Sequence, residues 1–227
     1  KGSEWLELEG AKDLDDALSL LTILYHHVPS VTSMPVYLGH LDALLQPYVR
    51  ILTQEAIDSR IKRFWRYLDR TLPDAFTHVN IGPADTPITR AILRADAELK
   101  QAAPNLTFIY DPNVTPDDLL LEVAKNICEC SKPHISHGPV NDKIFTKGRY
   151  GIVSCYNSLP LAGGGSTLVR LNLRAIAEHS ASPDDFFTRM LPHYCQQQMA
   201  IIDARCAFLY QQSGFFENSF LVKEGLI

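Results

Sequence analysis

The chain contains no run of about twenty apolar residues, the length a helix needs to cross a bilayer. Its first residues, Lys1-Gly2-Ser3-Glu4-Trp5, show neither an initiator Met nor the layout of a secretory signal, so a cytoplasmic location is expected. Positive charge is not in excess: 21 Lys and Arg stand against 26 Asp and Glu, for a net charge of -5. That balance argues against a general binder of nucleic acid or anionic membrane, because those partners are held by clustered Lys and Arg. The expected partner is small or proteinaceous. Five cysteines form no even set, and without a secretory signal they read as free thiols rather than a disulfide framework. The sequons at Asn105 and Asn113 are then incidental. Internal sequence repeats and low-complexity segments are missing, and Phe220 to Ile227 stop without a terminator, so the chain reads as a portion of something longer.

What is present suffices for a core: 227 residues, 46% of them hydrophobic, are compatible with one partial domain. Residues 1–75 read as a mainly helical lead-in and 76–227 as strand-helix structure. Asp13 or Asp15 caps a helix with Leu14, Leu18, Leu21 and Tyr25 on one stripe, ended by Pro29 near His26-His27. Pro35 opens a second short helix through Leu38, Leu41 and Leu45. Residues 54–72 form an amphipathic helix with Ile57, Ile61, Phe64, Trp65, Leu68 and Leu72 inward. Its Arg60, Lys62, Arg63, Arg66 and Arg70 make a solvated face interrupted by Asp58 and Asp69.

From residue 76 the pattern alternates. Phe76 to Gly82 reads as a strand, Thr86-Pro87 starts a helix to about Ala102, Leu106 to Tyr110 is a strand, and Thr115 to Asp118 starts a helix to about Cys130. Strand then helix, repeated, predicts a parallel sheet wrapped by helices, an α/β architecture. Residues 131–149 are expected to be mostly loop, with one short strand at His134-Ile135-Ser136. Tyr150 to Ser154 and Leu168 to Leu173 are further strands, and Arg174 to His179 begins a helix. From Ser182 runs the longest helix, with Phe187, Leu191, Cys195, Met199, Ile202, Cys206 and Leu209 on one stripe and a kink near Pro192.

The cysteines differ in setting. Cys195 and Cys206 fall on that stripe and are expected to be core. Cys128-Glu129-Cys130-Ser131-Lys132-Pro133-His134-Ile135-Ser136-His137 gathers two Cys and two His, which invites a zinc reading. Thiols two residues apart on a helix point about 200° away from each other, which argues against one shared metal. Cys155 sits at the end of an apolar strand, before Tyr156-Asn157-Ser158, a proline and the triple glycine Gly163-Gly164-Gly165. Such a loop either projects a thiol into a cavity or follows a buried strand-end cysteine. The glycines give only a weak phosphate-loop signal, because no Lys follows them and the next residues read as a strand.

Gly165-Ser166-Thr167-Leu168-Val169-Arg170-Leu171-Asn172-Leu173-Arg174-Ala175-Ile176-Ala177, with Asp184-Asp185-Phe186-Phe187 after a gap, resembles the segment downstream of the radical cysteine in anaerobic ribonucleotide reductases. Pro104-Asn105-Leu106-Thr107-Phe108-Ile109-Tyr110 resembles a strand of the pyruvate formate-lyase and glycerol dehydratase branch. Over nearly its whole length the chain resembles the YjjI-type glycyl-radical enzymes. The resemblance implies about half of a ten-stranded α/β barrel, inside which a cysteine loop meets a glycine loop. It implies that Cys155 is the thiyl residue taking hydrogen from a small organic substrate, with Asn157, Gly163, Gly164 and Gly165 supporting its loop. It also implies a radical-SAM activase with an iron-sulfur cluster that installs the glycyl radical, no cofactor bound by this chain, and compatibility with a homodimer.

Departures narrow the chemistry. Asn157 stands two residues after Cys155, where diol dehydratases carry a glutamate base, and Ser154 and Tyr156 replace the adjacent cysteine pair of formate-lyases. The family's glycine loop has no counterpart here, so this chain alone is expected to be silent. The alternatives are a cysteine-dependent or zinc-dependent non-radical enzyme, and a catalytically silent interaction fragment.

Overall fold

The computed structural model describes residues 2–4, 6–31, 36–71, 76–145, 148–153, 157–161 and 169–211. The chain divides into two compact units, Lys1–Ala162 and Gly163–Ile227.

In the first unit, helix α1 spans Leu14–Val31, with the Asp13 carboxylate accepting from the Asp16 N–H at its start. It runs past Pro29 instead of ending there, because a proline this close to the last turn removes one hydrogen bond of a helix about to stop. Strand β1, Tyr37–His40, and the short helix α2, Leu41–Leu45, replace the single helix expected after Pro35. Helix α3, Gln54–Thr71, buries Ile57, Ile61, Phe64, Trp65 and Leu68 as its periodicity predicts. Then come β2 (His78–Ile81), α4 (Pro87–Leu99), β3 (Asn105–Tyr110), α5 (Asp117–Cys130) and β4 (His134–His137). The Thr86 hydroxyl caps α4 by accepting from the Thr89 N–H, one residue before the proline at its first turn.

The strands make a four-stranded, all-parallel sheet in the order β1-β2-β3-β4. Sequential order is informative. Right-handed crossovers that always advance in one direction put every connecting helix on the same face of the sheet. That face is the apolar one: Val79, Ile81, Leu106 and Phe108 join Ile57, Ile61, Trp65, Ile88, Ile92 and Leu119 in one core. At about 25 cal/mol per Å2 of apolar surface, this burial is the main stabilising term.

Two buried polar networks pin the helices to the sheet. Asp42 at the start of α2 accepts from the Gly82 N–H at 2.7 Å and the Thr89 hydroxyl at 2.8 Å, tying the end of β2 to α4. Burial pushes its carboxyl above the ordinary range, against those hydrogen bonds. Asp96 of α4 accepts from Trp65 Nε1 at 3.0 Å, Lys132 Nζ at 2.8 Å and Asn126 Nδ2 at 3.2 Å, joining α3, α4 and α5.

Beyond β4 the stretch expected to be loop contains helix α6, Gly138–Ile144. Strand β5, Tyr150–Val153, follows, and Asn157–Pro160, expected within a loop, is strand β6, antiparallel to β5 with Val153 opposite Asn157. Asn, Ser and Pro favour strands poorly, so β6 exists through its ladder with β5 rather than through propensity.

In the second unit no strand forms over the described part of the expected Leu168–Leu173 segment. Asn172 instead caps α7, Leu173–Glu178, by accepting from the Ala175 N–H. Ser182 caps α8, Pro183–Asp185, while Asp185 reaches back to the Ala181 N–H. A π-turn at Phe186–Met190 then leads into α9, Leu191–Gln211. The irregularity falls just before Pro192, whose missing N–H breaks the regular ladder. The stripe expected to be core is not: Phe187 and Met199 are exposed, and Cys195 and Cys206 are only half-buried. The described residues of this unit bury a single large apolar side chain, Ile176, too small a core to cover the helix. Among the described residues, no helix is long and apolar enough to cross a membrane.

Candidate active site

The second face of the sheet is polar. Alternation along β2 puts His78 and Asn80 opposite Val79 and Ile81, and the parallel register sets Asn105 beside His78 and Thr107 beside Asn80. His134 of β4 continues the Asn80–Thr107 row, and Ser136 stands one step further along, beside Ile109. Parallel sheets bury both faces. Here the second cover is the β5–β6 hairpin, whose Tyr150 and Ile152 pack on Ile109 in a small apolar cluster of their own.

Both strands of the hairpin are clamped. On β5, the Ile152 N–H donates to Asn80 Oδ1 at 2.8 Å, and Asn80 Nδ2 donates to the Ile152 carbonyl at 3.0 Å. The side-chain amide thus replaces a neighbouring strand's backbone. Tyr37 Oη donates to the same Asn80 Oδ1 at 2.8 Å, and burial raises the phenol's pKa further from its ordinary value. Gly151 permits this stack: a Cβ there would lie 2.6 Å from the Tyr37 ring. On β6, Ser158 Oγ donates to Asn141 Oδ1 at 2.7 Å, and Asn141 Nδ2 donates to Ser136 Oγ at 2.8 Å. One chain of side chains therefore runs from the hairpin through α6 to β4.

Of the residues singled out from the sequence, Asn157 is the exposed first residue of β6, paired with Val153. Cys155 lies between the two clamped strands in sequence but outside the described residues, as do Gly163, Gly164 and Gly165. Sequence reasoning missed Asn80, Tyr37 and Asn141. The signal for Asn80 was available: an amide in the middle of a strand buried on both faces.

The Cys128 to His137 cluster does not assemble. Helix α5 reaches Cys130, whose thiol donates to Asp96 Oδ2 at 3.3 Å, while Cys128 is exposed. Burial and the neighbouring Asp96 carboxylate push the Cys130 thiol up to about 11. Among the described residues no group of three or more His, Cys, Asp or Glu side chains is placed to hold a metal ion. On the basic face of α3, Arg60 pairs with Asp15 and Lys62 with Glu98, so part of its charge is neutralised within the fold.

These features define an α/β protein with a sequentially wound parallel sheet, helices on one face and the β5–β6 pair on the other. The chain belongs to the YjjI-like glycyl radical enzyme family, whose model matches residues 1–227. It is 89% identical over 226 residues to the protein described as uncharacterized protein YjjI of Escherichia coli (strain K12). It is 44% identical over 230 residues to an uncharacterized protein of Haemophilus influenzae. Each alignment covers all of this chain and 44% of the relative, so the chain spans less than half the length of the curated relatives it matches.

Proposed function

We propose that the chain forms about half of a ten-stranded α/β barrel in a larger glycyl-radical enzyme, and that Cys155 is its thiyl residue. The observation supporting this reading is the double clamp, Asn80 on β5 and Asn141 on β6, on the two strands that flank Cys155. A hydrogen-abstracting sulfur has to be held within contact distance of one C–H bond, and rigid flanking strands provide that hold.

A glycyl radical installed outside this chain by a radical-SAM activase supplies the acceptor for the hydrogen atom of the Cys155 S–H bond. The resulting thiyl takes a hydrogen atom from a substrate C–H bond, so the S–H bond re-forms and the unpaired electron moves to substrate carbon. Tyr150 and Ile152 of the hairpin and Ile109 beneath them form a buried apolar cluster, which limits competing reactions with water. Asn157 and Gly163 to Gly165 support the loop. Asn157 supplies no general base, since an amide does not take up a proton at neutral pH.

The test is electron paramagnetic resonance on the full-length parent after anaerobic treatment with activase and S-adenosylmethionine. A glycyl doublet is expected. In D2O it should collapse as the Cys155 thiol returns deuterium to the glycine, and in Cys155→Ala the doublet should form and persist. Collapse in that variant would remove Cys155 from the role. The 227-residue chain treated alike should give no doublet, and a doublet from it would overturn the reading that it lacks the glycine loop.

A further inference from the structure

His78 is 1% exposed, and neither ring nitrogen has a hydrogen-bond partner. Leaving two polar atoms of one buried side chain unpaired is destabilising, a cost that an apolar residue of the same shape would avoid. The imidazole lies on the polar sheet face, two residues along β2 from the Asn80 clamp and in register with Tyr37 on one side and Asn105 on the other. Among the described residues the ring meets Phe76 edge to face at 4.9 Å, a contact that takes up no hydrogen bond.

The rest of the face carries the same kind of chemistry. Asn105 adds a half-buried amide and Thr107 a buried hydroxyl in the adjacent strand. The rows formed by residues 78, 80, 105, 107, 134 and 136 contain no Asp, Glu, Lys or Arg. Burial depresses the imidazole to a pKa of about 4, so at neutral pH it presents one donor and one acceptor and no charge. A hydroxyl group, itself donor and acceptor, satisfies such a ring, whereas a carboxylate or phosphate would be desolvated here without a cation.

We infer that the polar sheet face beside the Cys155 hairpin binds a neutral, hydroxyl-rich small molecule, a polyol or sugar, with His78 as a direct hydrogen-bonding residue. That this molecule is the substrate rests on the thiyl reading of Cys155; that it binds does not. A carbon bearing a hydroxyl group also offers the weakened C–H bond that a thiyl radical abstracts.

The test uses the full-length parent without activation, titrated calorimetrically with glycerol and D-ribose and with their anionic counterparts, glycerol 3-phosphate and ribose 5-phosphate. At least one neutral probe should bind, tenfold or more tightly than its phosphate. His78→Phe, which keeps a ring and removes both nitrogens, should weaken that binding at least tenfold and leave the melting temperature unchanged or higher. His78→Gln, which keeps a donor and an acceptor, should bind within a few-fold of wild type. Binding is read on unactivated protein that carries no radical, so failure here stays separate from failure of the radical role. Absence of binding by both neutral probes, tighter binding of the phosphates, or unchanged binding in His78→Phe would overturn the inference. Should His78→Phe not fold, the 15N signals of the labelled wild-type His78 ring decide: a shift on adding the neutral probe supports contact, and none refutes it.

Discussion

The two faces of one sheet solve different problems. Val79, Ile81, Leu106 and Phe108 meet the helices and are all completely buried, with no polar atom to satisfy beyond the backbone. His78, Asn80, Asn105 and Thr107, one residue away along the same strands, present amide, hydroxyl and imidazole groups to the hairpin side. The comparison teaches that stability here rests mainly on the helix side. The polar side gives up packing energy to hold a hairpin in register, a trade found where a protein binds or reacts.

The sharpest way to break the comparison is to remove apolar volume from the helix side. Phe108→Ala should cost about 4 kcal/mol, the transfer loss plus the cavity left in the core. The readout is the urea midpoint followed by fluorescence of Trp65, which is buried against Asp96. A loss under about 1 kcal/mol would mean that this side is not where the first unit is held together.

On the polar side, Asn80→Leu keeps volume and removes both amide atoms. The Ile152 N–H and C=O and the Tyr37 hydroxyl then lose their partner, and at about 1 kcal/mol for each orphaned group the cost is about 3 kcal/mol. Helical circular dichroism should survive, because the helices pack on the other face, while hydrogen exchange at Ile152 should rise by two orders of magnitude or more. A neutral or stabilising Asn80→Leu would show that the hairpin is held by Tyr150 and Ile152 alone.

A smaller effect discriminates between cysteines. At pH 8 a thiol with a pKa of about 11 is about 0.1% ionised, so Cys130 should alkylate about a hundredfold more slowly than the exposed Cys128. Peptide mass spectrometry after timed iodoacetamide treatment reads the ratio. Equal rates would mean that the Asp96 network opens readily.

Much of the helix side was legible in the sequence, because it follows simple periods. The stripe of α3 came from spacings of three and four and the strand β2 from alternation, while α4 and α5 were read from the cap, proline and acidic residues at their starts. The polar side was not, since its elements owe their form to tertiary partners. Tyr37–His40 follows a proline that suggested a helix, yet it pairs with β2. Asn157-Ser158-Leu159-Pro160 has loop composition and becomes a strand by pairing with β5 and anchoring through Asn141. Helix α6 lay hidden among Gly and Pro because Pro139 sits in its first turn, where proline is tolerated. Cys155 was singled out by its loop setting and by resemblance, whereas the residues that hold the strands flanking it, Asn80 and Asn141, come only from geometry.

The smallest effect in free energy separates the faces by pH. His78 has a folded-state pKa of about 4 against about 6.5 in the unfolded chain, so between these values the unfolded state binds more protons. Stability is therefore complete well above pH 6.5, falls with acidification, and has dropped by about 1.4 kcal/mol at pH 5.5 from this group alone. His78→Phe should remove that part of the slope, while Phe108→Ala should lower stability equally at pH 7.5 and 5.5, having no proton to bind. Parallel urea titrations at the two pH values read the difference. An acid slope identical in wild type and His78→Phe would show that the buried ring takes up its proton without opening the fold, and the polar face would then be wetter than the burial of His78 indicates.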